Sequence, residues 1–327
     1  PGIVYGPSSR TGHGMGPRRV ARVVGQPGHH GLDYLGPGRG AGRVVQVGLG
    51  SGVFHDPRLR RGPVGIPSRV RQTASVEGYD ERTYGDRMAA VYDEWYGEDG
   101  GVALTVIGNP TEVAERIADL AEGGPVLELG VGTGRLALAM AEYGLAVTGV
   151  DSSTAMLDRL RAKPGASRLT LVEGDMADPP GLSDGGFAVV LVGFNTFFNL
   201  TSAEAQNRCV GSVARLLRPG GRYVIEAFAP DPEVHDGLSV RDVGLDRVLL
   251  DVVRIDVEAQ IITGQRIEVT ATGNRLFPYV LRYATPDQLD AMATAAGLVL
   301  EGRTEDWSGT PFTGDSPFHV STWRSPT

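Results

Sequence analysis

Residues 126–134 read Val-Leu-Glu-Leu-Gly-Val-Gly-Thr-Gly, and Asp151 closes the apolar run that follows. A short buried strand, 126–129, therefore enters a turn containing Gly130, Gly132 and Gly134. A helical pattern follows over 135–143, then a second strand over 146–150. Glycines suit such a turn because it needs open backbone angles and close approach of a ligand to the main chain. The second strand delivers Asp151 about 20 residues after the first glycine, where a carboxylate can take the two hydroxyls of a ribose. The chain is thus expected to bind a nucleoside-containing cofactor.

The dinucleotide fingerprint places its third glycine three positions after the second. That position holds Arg135, and the third glycine is instead Gly134. The departure counts against NAD or FAD. The run Glu128-x-Gly130-x-Gly132-x-Gly134 resembles the first motif of class I S-adenosylmethionine (SAM) methyltransferases. Two further matches strengthen the resemblance: 169–175 (Leu-Thr-Leu-Val-Glu-Gly-Asp, then Met176) and 216–225 (Leu-Leu-Arg-Pro-Gly-Gly-Arg-Tyr-Val-Ile). It spans about residues 84–324 and implies SAM as cofactor. The glycine loop would hold its methionine end, Glu128 its amino end and Asp151 its ribose. Asp175 would accept from the adenine amino group, while the Met176 N–H meets a ring nitrogen. Ser152 and Met156 follow on the same loop. Met156 either packs on adenine or belongs to the core.

Phe194-Asn195-Thr196-Phe197-Phe198-Asn199 follows the fourth strand, and the resemblance puts this loop beside the transferring methyl, with Phe194 against the cofactor. Asn195 could accept from a substrate amine or hold the cofactor, and it reads equally well as a turn or capping residue. Phe197 and Phe198 suit a pocket wall or plain packing. The resemblance to sugar N-methyltransferases also brings a tyrosine-bearing N-terminal helix over SAM, with Tyr92 the first candidate and Tyr84 the second. Asn195 and Tyr92 are the catalytic candidates. Glu226, His235 and His319 are candidate bases, each of which reads more readily as structural. Arg282, Tyr283, Trp307 and Phe312 are further candidate pocket residues. No cysteine and histidine cluster has metal-ligand spacing, so no metal is expected.

Alternating strands and helices from 126 to 228 predict an α/β fold. The expected architecture is a Rossmann-like, doubly wound, mostly parallel seven-stranded sheet. Amphipathic helices are expected over 83–97 and 111–121, the second capped by Asn109 or Thr111. After the fifth strand, apolar runs at 247–257, 259–270 and 275–283 predict an inserted antiparallel β-meander, a substrate-side subdomain at about 239–284. A helix over 286–296 and strands near 298–303 and 319–323 complete the domain, 76–327.

Residues 1–75 differ in kind. They hold eleven arginines and two acids, while the whole chain carries a formal net charge of −8. This glycine-, proline- and arginine-rich stretch reads as a disordered extension. A second glycine triplet, at 43–52, has no helical pattern after it and no acid at the required distance, and reads as chance. The acidic body argues against nucleic acid as a partner. No apolar stretch is long enough to cross a bilayer, so no membrane partner is expected. A single cysteine, Cys209, fits a reducing, cytoplasmic setting. The expected activity is SAM-dependent methyl transfer (EC 2.1.1.-) to an amine or hydroxyl of a small-molecule acceptor, a natural-product or sugar-like metabolite, by a protein that could form a homodimer. A macromolecular (RNA or protein) methyltransferase and a non-catalytic SAM-binding protein are the alternatives.

Overall fold

A computed structural model describes residues 76–97, 108–231 and 236–327. The expectations for 1–75, and for His235, lie outside the described residues.

The chain builds one seven-stranded sheet from β1 (Val126–Leu129), β2 (Val147–Asp151), β3 (Thr170–Glu173), β4 (Phe187–Val192), β5 (Leu217–Phe228), β10 (Val299–Thr304) and β11 (Phe318–Arg324). Their order across the sheet is β10-β11-β5-β4-β1-β2-β3. β1 to β5 pair in parallel, and β11 runs antiparallel to both β5 and β10. β1 and β4 are buried along their whole length. This explains their unbroken apolar runs, since a strand covered on both faces has no solvent side to mark by alternation. α3 (Pro110–Ala121) and α4 (Arg135–Glu142) pack on one face with β1, and α6 (Ala203–Leu216) and α7 (Pro286–Ala295) pack on the other. α5 (Thr154–Arg161) joins β2 to β3. Between β3 and β4 there is no helix.

Asn109 caps α3, its side chain accepting from the Thr111 N–H at 2.9 Å. Thr285 and Gln288 form a reciprocal capping box on α7, which satisfies two otherwise orphaned amides.

Two sequence expectations need correction. The helix expected over 83–97 is two helices, α1 (Thr83–Met88) and α2 (Tyr92–Tyr96), parted by a turn. Met88, Val91 and Trp95 are all buried, so the apolar spacing is right while the axis breaks. Helices this short draw their stability from the surface they cover rather than from themselves. β5 begins irregularly at Leu217, with a register shift before the regular ladder that starts at Arg222. The meander has a fourth strand, β6 (Gly237–Val243), beside β7 (Arg247–Asp256), β8 (Ile261–Thr270) and β9 (Gly273–Arg282). A register shift between Val240 and Asp242 breaks the alternation in β6, and that break hides it from a period-two reading.

Candidate active site

The glycine turn sits at the C-terminal end of β1. Gly130 has φ 71° and Gly132 has φ 55°, a region where a side chain is strained. A Cβ on Gly130 would lie 2.1 Å from the Thr196 Cγ2, whereas one on Gly132 would meet nothing within 4 Å. Gly130 is therefore needed for packing, and Gly132 leaves bare backbone facing open space.

Two carboxylates flank the turn. Glu128, on β1, is 4% exposed, and its Oε2 is buried with no hydrogen-bond partner. Burial pushes its carboxyl up to about 8, against the pull of the nearby Arg135 guanidinium. Asp151, at the end of β2, accepts from the Gly132 N–H at 2.8 Å and from the Ser153 N–H at 2.9 Å. Burial raises its pKa, and these two amides oppose the rise. Each Asp151 oxygen keeps a free lone pair, so hydroxyl donors can still be taken.

These elements line a cleft open to solvent. Its lining includes Gly130, Gly132, Asp151, Ser152 and Met156, together with Asp175 and Met176. Tyr79, Tyr84 and Tyr92 line it as well. The cleft thus brings together seven of the ten cofactor residues expected from the sequence, along with Tyr92. Met156 is a core residue, 2% exposed and packed with Met88 and Trp95, and it also lines the cleft. Glu128 lies under the turn, and Gly134 serves as the N-cap of α4 in a left-handed conformation.

The loop after β4 is held under strain. Phe194 and Asn195 have φ of 49° and 58°, which costs about 1–2 kcal/mol for residues bearing a Cβ. Their partners fix them. The Phe194 N–H donates to Glu226 Oε2 at 2.8 Å, and the Asn195 side-chain oxygen accepts from the Phe228 N–H at 2.6 Å. Asn195 is not among the cleft-lining residues; its carbonyl ties the end of β4 to the end of β5. Phe194 meets the ring of Tyr96 at 5.3 Å and lies 5.8 Å from the Arg135 guanidinium. Phe197 and Phe198 are fully buried core residues.

The candidate bases have other employment. Glu226 also accepts from the Gly108 N–H at 3.1 Å and the Trp307 Nε1 at 3.0 Å, so three donors converge on its buried carboxylate. His319 is fully buried, bonded through Nδ1 to Ser321 at 2.8 Å, and burial lowers its pKa to about 4. Arg282 bonds Gln206 at 2.5 Å. Neither Arg282, Tyr283, Trp307, Phe312 nor His319 lines the cleft.

Sequence reasoning missed Asn199 and Tyr79. Asn199 lines the cleft and donates through Nδ2 to the Thr196 carbonyl at 3.2 Å. Because that carbonyl can only accept, the amide orientation is set, and Oδ1 is left buried without a donor. Nothing in spacing marks such a residue. Among the described residues no group of histidines, cysteines and acids could hold a metal ion, and no helix is long and apolar enough to cross a membrane.

Residues 126–221 match the model of a methyltransferase domain. The cypemycin N-terminal methyltransferase of Streptomyces sp is 33% identical over 199 residues, which cover 60% of this chain and 80% of the relative. The chain belongs to the class I SAM-dependent methyltransferases. A demethylmenaquinone methyltransferase of Thermus thermophilus is 35% identical over 56% of this chain and 79% of its own length. Among solved structures, the CcbJ methyltransferase from Streptomyces caelestis superposes with a TM-score of 0.69 at 38% identity, covering 76% of this chain and all of that one. As a methyltransferase the protein uses SAM. Its own residues fit that cofactor: a buried acceptor without a donor on Glu128, free lone pairs on Asp151, and exposed backbone at Gly132.

Proposed function

We propose that this methyltransferase acts on a small molecule, a natural-product or sugar-like metabolite, and that the attacking group is an amine in preference to a hydroxyl. The observation that carries this reading is the aromatic lining of the cleft, where Tyr79, Tyr84 and Tyr92 stand with the glycine turn and Asp151, a concave, ring-walled site of the kind that takes small molecules. The names of two relatives fit a small acceptor, cypemycin in one and demethylmenaquinone in the other, and the N-terminus named in the first is the part that bears on an amine. Residues 76–327 also carry most of the chain's acids, which disfavours a phosphate backbone. The cytoplasm is the proposed location, where the single buried Cys209 would stay reduced.

In this reading Glu128 takes the cofactor's amino group, Asp151 its ribose, and Asp175 with Met176 its adenine. When bound, SAM would supply a methyl on a cationic sulfonium, open to in-line attack by the acceptor's lone pair with the neutral thioether as leaving group. The protein then has to position rather than to form a covalent bond. Tyr92 is held well above its ordinary pKa, chiefly by burial, so at neutral pH it offers a hydroxyl and a ring face rather than a base. Phe194 presents a second aromatic face suited to a cation. Asn195 acts indirectly, by pinning the strained turn that carries Phe194. Among the described residues no histidine lines the cleft. An amine needs less help than a hydroxyl, because its neutral form carries a strongly nucleophilic lone pair, whereas a hydroxyl needs a base to take its proton.

Thermal-shift measurements with SAM, its demethylated product S-adenosylhomocysteine (SAH) and NAD test the cofactor reading. Both adenosyl compounds should stabilise the protein and NAD should not, and Asp151→Ala should remove the effect. A panel of amines, alcohols and RNA then tests the acceptor. Methylation of RNA by the protein, with none of any small amine, would overturn the proposal.

A further inference from the structure

The chain has one lysine, Lys163, among 31 lysine and arginine residues. In a sequence that uses arginine almost everywhere, the exception calls for a physical reason. Lys163 follows α5, and its Nζ donates to the Asp93 Oδ1 at 2.7 Å and to the Thr133 carbonyl at 2.8 Å. The Thr133 hydroxyl donates to the same Asp93 oxygen at 2.5 Å. Asp93 belongs to α2 and directly follows Tyr92, which lines the cleft. Thr133 lies between Gly132 and Gly134 in the cofactor turn and is 1% exposed. Three elements thus meet at one carboxylate oxygen.

We infer that Lys163 and Asp93 are positioning residues that dock α2 on the glycine turn and so hold Tyr92 over the cofactor. The inference rests on the cofactor reading above. α2 has five residues, too few to stand as a helix by itself, so its placement depends on what grips it. Arg266 grips the other end, bonding the Tyr96 hydroxyl and lying 5.9 Å over the Trp95 ring. Arg266 is itself anchored to the buried Asp251 at 2.9 Å. The Asp93 joint is the one that reaches the cofactor turn.

A lysine fits this place better than an arginine. An ammonium is a compact point charge whose donors can diverge to a carboxylate and a carbonyl on different elements. A guanidinium presents a wide, flat fork that matches two oxygens in one plane. At the partial exposure of this pair, 28% for the Lys163 side chain and 37% for Asp93, the charge-assisted bonds are only partly screened.

The test uses the full chain and SAH. Lys163→Met and Asp93→Asn should each raise the SAH dissociation rate by about tenfold, the lower range for charge-assisted hydrogen bonds. The double variant should be no faster than either single one, because both remove the same joint. Lys163→Arg should recover less than half of the loss on a logarithmic scale. Since only one lysine exists, reductive methylation followed by peptide mass spectrometry reads its engagement directly, and SAH should slow labelling of Lys163 several-fold. Should Lys163→Met fail to fold, Asp93→Asn reads the same contact from the other side. Normal SAH binding by wild type, with dissociation rates within twofold in the variants, would overturn the inference while leaving the cofactor reading intact. Failure of wild type to bind SAH would overturn both.

Discussion

Glu128 offers the sharpest quantitative test. Its carboxyl is displaced from an ordinary 4.5 to about 8, and the largest cause is burial. In the unliganded protein the fold therefore favours the protonated form. Stability from this source is fully present below about pH 4.5 and is lost as pH rises through 8. The ceiling on that loss is about 5 kcal/mol, at 1.36 kcal/mol for each pH unit of displacement. A cationic amino group placed beside Oε2 reverses the preference, because it favours the ionised form. Cofactor binding must then expel a proton below pH 8. SAH affinity should rise by about tenfold per pH unit between pH 6 and 7.5, then level off. Isothermal titration calorimetry in two buffers of different ionisation enthalpy gives both the affinity and the proton count. Glu128→Gln should abolish the slope, weaken binding at pH 8, and make the unliganded protein more resistant to alkaline unfolding than wild type. A flat affinity profile in wild type, or an undiminished slope in Glu128→Gln, would refute the assignment of the amino-end contact.

Other outcomes follow from the same geometry. Gly130→Ala combines a left-handed φ with a 2.1 Å approach to Thr196, so chemical denaturation should show a loss of at least about 2 kcal/mol together with weaker SAH binding. Glu226→Ala strips the acceptor from the Phe194, Gly108 and Trp307 donors. It should cost roughly 3 kcal/mol in urea unfolding, and a variant as stable as wild type would show that the carboxylate is not a structural clasp. Removing residues 1–75 should leave the SAH dissociation constant and the methylation rate within twofold, as enzyme assays on the truncated protein would check.

Much of this protein was legible in its sequence for a local reason. A buried strand, a glycine turn and an acid on the next strand are contiguous or nearly so, and their geometry is set by backbone sterics and burial period. That is why β1, β2 and the residues Gly130, Gly132 and Asp151 could be read directly, and why the strand ends deliver them to one cleft. Other features arise between segments far apart in the chain. That Asn195 clamps Phe228, that Glu226 gathers three donors, and that His319 is sealed in the core depend on which elements pack together, and no spacing encodes it. The break between α1 and α2 is of this kind, since an apolar face at helical period looks the same whether the axis runs on or turns. The sole lysine was visible in the composition from the start. Its meaning came only from the fold, which brings residues 93, 133 and 163 to a single carboxylate oxygen, because charge–charge and hydrogen-bond contacts act through space and not along the chain.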